Sequence, residues 1–120
     1  MSNSRNHQRH QVVVPLRLDT ESKTGRFGVS RNVSASGMLL RTRSRFTLGD
    51  RIGLTFRFTS DANDRRLDGK IVRLERDQGD DAGIFPRQVA VQFDARHAEI
   101  EPLLVEASKR QRDAFGLSFN

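Results

Sequence analysis

Arg51-Ile52-Gly53-Leu54-Thr55-Phe56-Arg57-Phe58 alternates without a break. Ile52, Leu54, Phe56 and Phe58 share one face, and Arg51, Gly53, Thr55 and Arg57 the other. That period of two is what a half-buried strand requires. Gly49-Asp50 marks a turn just before it. The same period recurs upstream. Met38, Leu40 and Thr42 start a strand directly after Gly37. Phe27, Val29, Arg31 and Val33 line one face of another, opposite Arg26, Gly28, Ser30 and Asn32. Val12, Val14, Leu16 and Leu18 alternate with Val13, Pro15 and Arg17, and Pro15 suits an edge or bulge. Residues 19–25 are a polar turn ending in Gly25. Downstream, 59–66 is a polar loop, and Leu67 to Leu74 reads as a fifth strand that Gly69 allows to bend. An acidic loop over 76–86 closes at Pro86, and Val89, Val91 and Phe93 form a sixth strand.

After Asp94 the period lengthens. Ile100, Leu103, Leu104 and Ala107 stand at helical spacing, and Phe115 continues the stripe. Pro102 belongs in the first turn of this helix, which is expected over about 102–114 after a lead-in turn at 95–101. The expectation is a mainly all-β domain: a six-stranded antiparallel β-barrel with a C-terminal α-helix. The helix plugs or flanks one opening and covers an edge. The eight Phe are expected mostly at inward positions. Residues 1–11 carry almost nothing to bury and read as a flexible basic arm, with the barrel and helix occupying 12–120.

One hundred and twenty residues make one domain. With no Cys there is no disulfide, thiolate metal site or thiol nucleophile. There is no P-loop, Gly-x-Ser-x-Gly or His-Glu-x-x-His. His7 and His10 lack a third ligand at suitable spacing and read as part of a polar tail. Asp77, Asp80 and Asp81 do not match a calcium loop. No enzyme activity, metal or cofactor is therefore expected. No apolar run reaches the roughly 18 residues of a membrane span, and Met1 to Gln11 has no apolar core of a secretory signal. The expected address is cytoplasmic, without membrane insertion.

Charge narrows the partner. Residues 1–66 hold 13 basic and 5 acidic side chains, whereas 67–120 hold 8 and 10. The positive half calls for an anionic partner. Eighteen of the 21 cations are Arg, whose planar fork grips phosphate or a guanine edge with two bonds. One reading is therefore a small basic barrel for single-stranded nucleic acid. The lack of Tyr and Trp and the inward Phe argue against it.

Two motifs stand out. Arg5-x-x-x-Arg9 lies in the arm, although an Arg-rich chain repeats such pairs by chance, as Arg41-x-x-x-Arg45 does. Asn32-x-Ser34-x-x-Gly37 joins the second and third expected strands. Its residue types also suit an ordinary connection: Asn and Ser bond local backbone, and Gly supplies positive φ.

In this order, with one hairpin between them, the two motifs resemble those of the PilZ domain family. Gly69-x-Ile71-Val72-Arg73 and Val89-Ala90-Val91-Gln92-Phe93 resemble that family's later strands. The resemblance implies a PilZ-type barrel that binds the bacterial second messenger cyclic di-GMP on its outside. It assigns Arg5 and Arg9, with Asn32, Ser34 and Gly37, to the ligand, and Ser36 and Arg73 as further contacts. It implies a non-enzymatic adaptor with a protein partner in motility, pilus or exopolysaccharide control. The remaining alternative is a PilZ-like interaction module without a ligand. Many members carry another Arg immediately before the arginine motif. Ser4 stands there in this chain, which favours a single ligand or looser binding and leaves one ligand and a stacked pair both open.

Overall fold

The computed structural model describes residues 8–58, 61–76 and 83–114. The strands are β1 (His10–Gln11), β2 (Pro15–Asp19), β3 (Arg26–Val33), β4 (Gly37–Thr42), β5 (Arg51–Phe56), β6 (Arg65–Arg76) and β7 (Arg87–Phe93). A 3₁₀ turn at Ala98–Ile100 leads into α1 (Glu101–Ala114). All pairings are antiparallel. The order β3-β2-β5-β6-β7-β4 returns to β3 through the β3–β4 pair, so six strands close a barrel. β1 extends the line of β2 along β3.

The first expected strand is thus realised in two pieces. Its alternation holds across the break: Val12, Val14, Leu16 and Leu18 are buried, and Val13, Pro15 and Arg17 are exposed. Sheet pairing starts at His10, inside the stretch that composition assigned to the arm. Ser30 bridges the interruption. Its hydroxyl accepts from the Val14 N–H at 2.9 Å and donates to the Val12 carbonyl, while the Ser30 N–H donates to the Val14 carbonyl at 3.0 Å. Ser30 is 1% exposed. Ser30→Ala leaves two buried backbone groups without partners. It is expected to lower stability by roughly 2 kcal/mol, measurable as an earlier denaturation midpoint with an unchanged slope.

β3 corrects one expectation. Its apolar set Phe27 and Val29 does not face the core; Phe27 is 54% exposed. Gly28 and Ser30 point inward instead. A Cβ on Gly28 would meet the Leu18 side chain at 3.0 Å, so Leu18 fills the space over β3. The inward placement of Phe holds for Phe56, Phe58 and Phe93. Outside, Phe27 lies against Phe85 with ring centroids 5.7 Å apart. Phe115 lies outside the described residues.

Ile100 and Leu104 are fully buried in the core cluster, with Leu103 and Ala107 packed against it, as the helical spacing requires. Pro102 is the second helical residue, where its missing N–H costs no bond. Two long-range contacts tie the 10–14 segment to the helix. His10 Nε2 lies 2.9 Å from Glu101 Oε2. Gln111 accepts from the Val13 N–H at 2.8 Å and donates to its carbonyl at 2.7 Å, standing in for a neighbouring strand. His10 is therefore no tail residue. It is 8% exposed, wedged between β3 and α1.

Candidate ligand site

β1 brings the two motifs together. His10 pairs with Val33 and Gln11 with Asn32, so Arg9 and Ser34 stand at the next step of the same antiparallel run. Arg9 Nη1 donates to Asn32 Oδ1 at 2.9 Å. Asn32 is half-buried and Arg9 exposed, so the pair faces outward. The Asn32 side chain offers one acceptor and two amide N–H donors, and the donors suit the O6 and N7 acceptors of a guanine edge. Arg5 and Ser4 lie outside the described residues.

A bulge aims Asn32. The β3–β4 register shifts between Ser30 and Asn32, which leaves Arg31 as the extra residue. A second bulge lies between Ile71 and Arg73, with Val72 the extra residue. Bulges re-aim side chains in this way beside functional surfaces. Between them runs one transverse row on the outer face: Gln11, Asn32, Leu39, Ala90 and Arg73, each paired with the next. From Asn32 to Arg73 is three strand spacings, about 14 Å. Leu39 and Ala90 form a half-exposed apolar floor between two polar ends. The motifs did not mark this floor. Its signal was present in the phase, because Leu39 falls between the inward Met38 and Leu40. Arg73 lies inside β6, and its Nε is 3.5 Å from Glu75 Oε2.

Ser34 and Gly37 are held within the loop itself. Ser34 is 2% exposed. Its hydroxyl accepts from the Ser36 N–H at 3.2 Å and lies 3.3 Å from the Ser36 hydroxyl. Its N–H donates to the Gly37 carbonyl at 2.9 Å. It shapes the loop, and half-exposed Ser36 is the hydroxyl at the surface. Gly37 does not supply positive φ; among the described glycines that conformation belongs to Gly25, Gly49 and Gly83. A Cβ on Gly37 would stand 2.6 Å from the Val91 carbonyl oxygen. Glycine is required there because β7 backbone occupies the space.

Among the described residues, no group of three or more His, Cys, Asp or Glu could hold a metal. No helix among them is long and apolar enough to cross a membrane.

The fold and site define a small closed antiparallel barrel with Arg9 and Arg73 at either end of a row on its outer face. Residues 3–106 match the PilZ domain, and the chain belongs to that family. Solved structures agree on the fold. The PilZ domain of YcgR from Escherichia coli, described with c-di-GMP, is 9% identical, with TM-score 0.72 over 95% of this chain and 98% of that one. The Bacillus subtilis inhibitor of motility (MotI/DgrA) is 18% identical, with TM-score 0.60 over 94% of this chain and 53% of that one. The PilZ domain of CeSA from a cellulose-synthesizing bacterium is 15% identical, with TM-score 0.53 over 92% and 97%. No curated protein matches the sequence.

Proposed function

We propose that this chain is a cytoplasmic receptor for cyclic di-GMP that works as a non-enzymatic adaptor. The observation that carries the reading is the Arg9–Asn32 contact at 2.9 Å, which joins the two motifs across 23 residues. The likeness to the YcgR domain described with c-di-GMP adds support. Arg5 and Arg9 grip phosphate or guanine, Asn32 and Ser36 meet the base edge and phosphate, and Arg73 closes the far end of the row. Ser34 and Gly37 hold the loop that presents them. Arg9 releases Asn32 on binding and exchanges one exposed, water-screened bond to a neutral amide for bonds to the ligand's phosphate or guanine worth about 1.5–3 kcal/mol each. The adjoining His10 and Val13 are bonded to α1, so a pull on Arg9 reaches the helix and its protein partner. Calorimetric titration with cyclic di-GMP, with GTP and cyclic GMP as controls, tests the reading. Saturable binding specific to the cyclic dinucleotide is expected, and no heat at any accessible concentration rejects it.

A second reading has one observation behind it. Phe27 is not buried, and it lines a concavity of about 510 Å³ with Arg17, Arg26 and Arg57. An exposed ring among guanidiniums is the kind of platform single-stranded nucleic acid uses. A gel shift with single-stranded RNA that Phe27→Ala abolishes and moderate salt weakens supports it.

A further inference from the structure

The second arginine pair, Arg41-x-x-x-Arg45, has no part in the site around Arg9. Arg45 lies near the barrel mouth where β4 and β6 end and β7 begins, away from the end where His97 bonds Ala35. There Arg76 and Arg87 stand directly opposite each other in the β6–β7 ladder. Like charges in that position destabilise a sheet. Arg45 joins them at a cavity of about 270 Å³ whose apolar lining is Phe46, Leu74 and Val89. Desolvation, with the guanidiniums of Arg45 and Arg76, holds half-buried Arg87 below the usual arginine range. The lining contains one carboxylate, Glu75, and it is already engaged by Arg73 at 3.5 Å and by the Gln88 amide at 2.9 Å. Among the described residues, no carboxylate forms an ion pair with Arg45, Arg76 or Arg87.

We propose that Arg45, Arg76 and Arg87 form a second anion site, which takes a compact phosphate monoester carrying a flat or apolar group. Three guanidinium forks lining one cavity match the oxygens and near-double charge of a phosphate monoester. The Phe46, Leu74 and Val89 surface takes the uncharged part, the arrangement that small-ligand pockets share. The volume lies just below the roughly 300 Å³ at which drug-sized pockets begin. It holds one ring and one phosphate, not a ligand with two guanines. Sequence and packing conflict here in the ligand-free fold, and such conflicts mark functional positions.

The test uses the full chain with guanosine 5′-monophosphate, glycerol 3-phosphate and inorganic phosphate, followed by NMR shifts and thermal melting. Guanosine monophosphate is expected to perturb residues 45, 76 and 87, raise Tm, and bind about fivefold or more tighter than inorganic phosphate. Glycerol 3-phosphate, whose uncharged part is polar and not flat, is expected to bind no better than inorganic phosphate; if it matches guanosine monophosphate, the Phe46, Leu74 and Val89 surface takes no ring and the proposal is overturned. The double variant Arg76→Gln/Arg87→Gln is expected to raise the ligand-free Tm by roughly 1–4 °C, because the cross-strand repulsion is gone. It loses about tenfold or more of monophosphate affinity and keeps its cyclic di-GMP affinity. Absence of any shift at concentrations on the order of 10 mM, or equal affinity for inorganic phosphate, overturns the proposal. Asp77, Asp80 and Asp81, outside the described residues, supply the control. A phosphate response confined to the variant Asp77→Asn/Asp80→Asn/Asp81→Asn assigns the guanidiniums to the chain's own carboxylates and also overturns it.

Discussion

Arg9→Ala is expected to weaken cyclic di-GMP binding about tenfold to a hundredfold while leaving the melting temperature almost unchanged. The size follows from the bonds. A hydrogen bond to a charged partner contributes roughly 1.5–3 kcal/mol, and each 1.4 kcal/mol is about a factor of ten. The unchanged stability follows from exposure: Arg9 is solvent-accessible, and its bond to Asn32 is at the surface. Surface substitutions of this kind move stability by about 0.5 kcal/mol or less. Arg9→Lys separates charge from geometry. Lysine keeps the positive charge but lacks the planar fork, so an intermediate loss is expected. Calorimetry on the three proteins, at two salt concentrations, provides the check. Binding of Arg9→Ala within twofold of the parent removes Arg9 from the site and breaks the link between the motifs.

The juxtaposition behind that prediction was readable only in part, because the pairing that reaches His10 lies in the stretch that reads as an arm. One hairpin separates Arg9 from Asn32 in the sequence, and antiparallel pairing of its arms places them together. The strands were readable wherever apolar residues alternate, as at Val12 to Leu18 and Ile52 to Phe58. β3 was legible as a strand but not in phase. Period two chose the face with Phe27 and Val29, whereas the interior over Gly28 is filled from Leu18 and Leu40. Side chains contributed by neighbouring strands decide which face has room, and one strand's own pattern does not contain them. His10 shows the same limit from the polar side. Nothing local distinguishes it from the polar stretch before it, and its partner Glu101 lies 91 residues away. The Arg76–Arg87 pair needed the register across a loop, which residue types alone do not set.

Gly37 is the position where a sequence signal and a structural cause diverge most, and Gly37→Ala is expected to damage the fold itself. A motif glycine after Asn and Ser suggests a turn residue, for which asparagine is the natural substitute. The geometry assigns another cause. The methyl group would lie 2.6 Å from the Val91 carbonyl oxygen, which is backbone and has no rotamer to change. From the other side of the same strand, a Cβ on Gly69 would clash with the Gln92 carbonyl oxygen in the same way. β7 is therefore gripped between two glycines, and this permits the tight closure of β4, β7 and β6. Forcing a methyl into such packing costs about 1–3 kcal/mol, a fall in Tm of roughly 3–15 °C for a domain of this size. The loss reaches the ligand loop, because the Gly37 carbonyl accepts the Ser34 N–H and the Ser36 carbonyl accepts the Phe93 N–H at 2.8 Å. Gly37→Asn separates the two explanations. If positive φ were the requirement, asparagine would restore most of the stability; under steric exclusion it is no better than alanine. At Gly25 and Gly49, where φ is +65° and +90° and the space is open, asparagine is expected to be tolerated. Thermal melting of these four variants decides the matter. A Gly37→Asn protein as stable as the parent would return the glycine to its role in the turn.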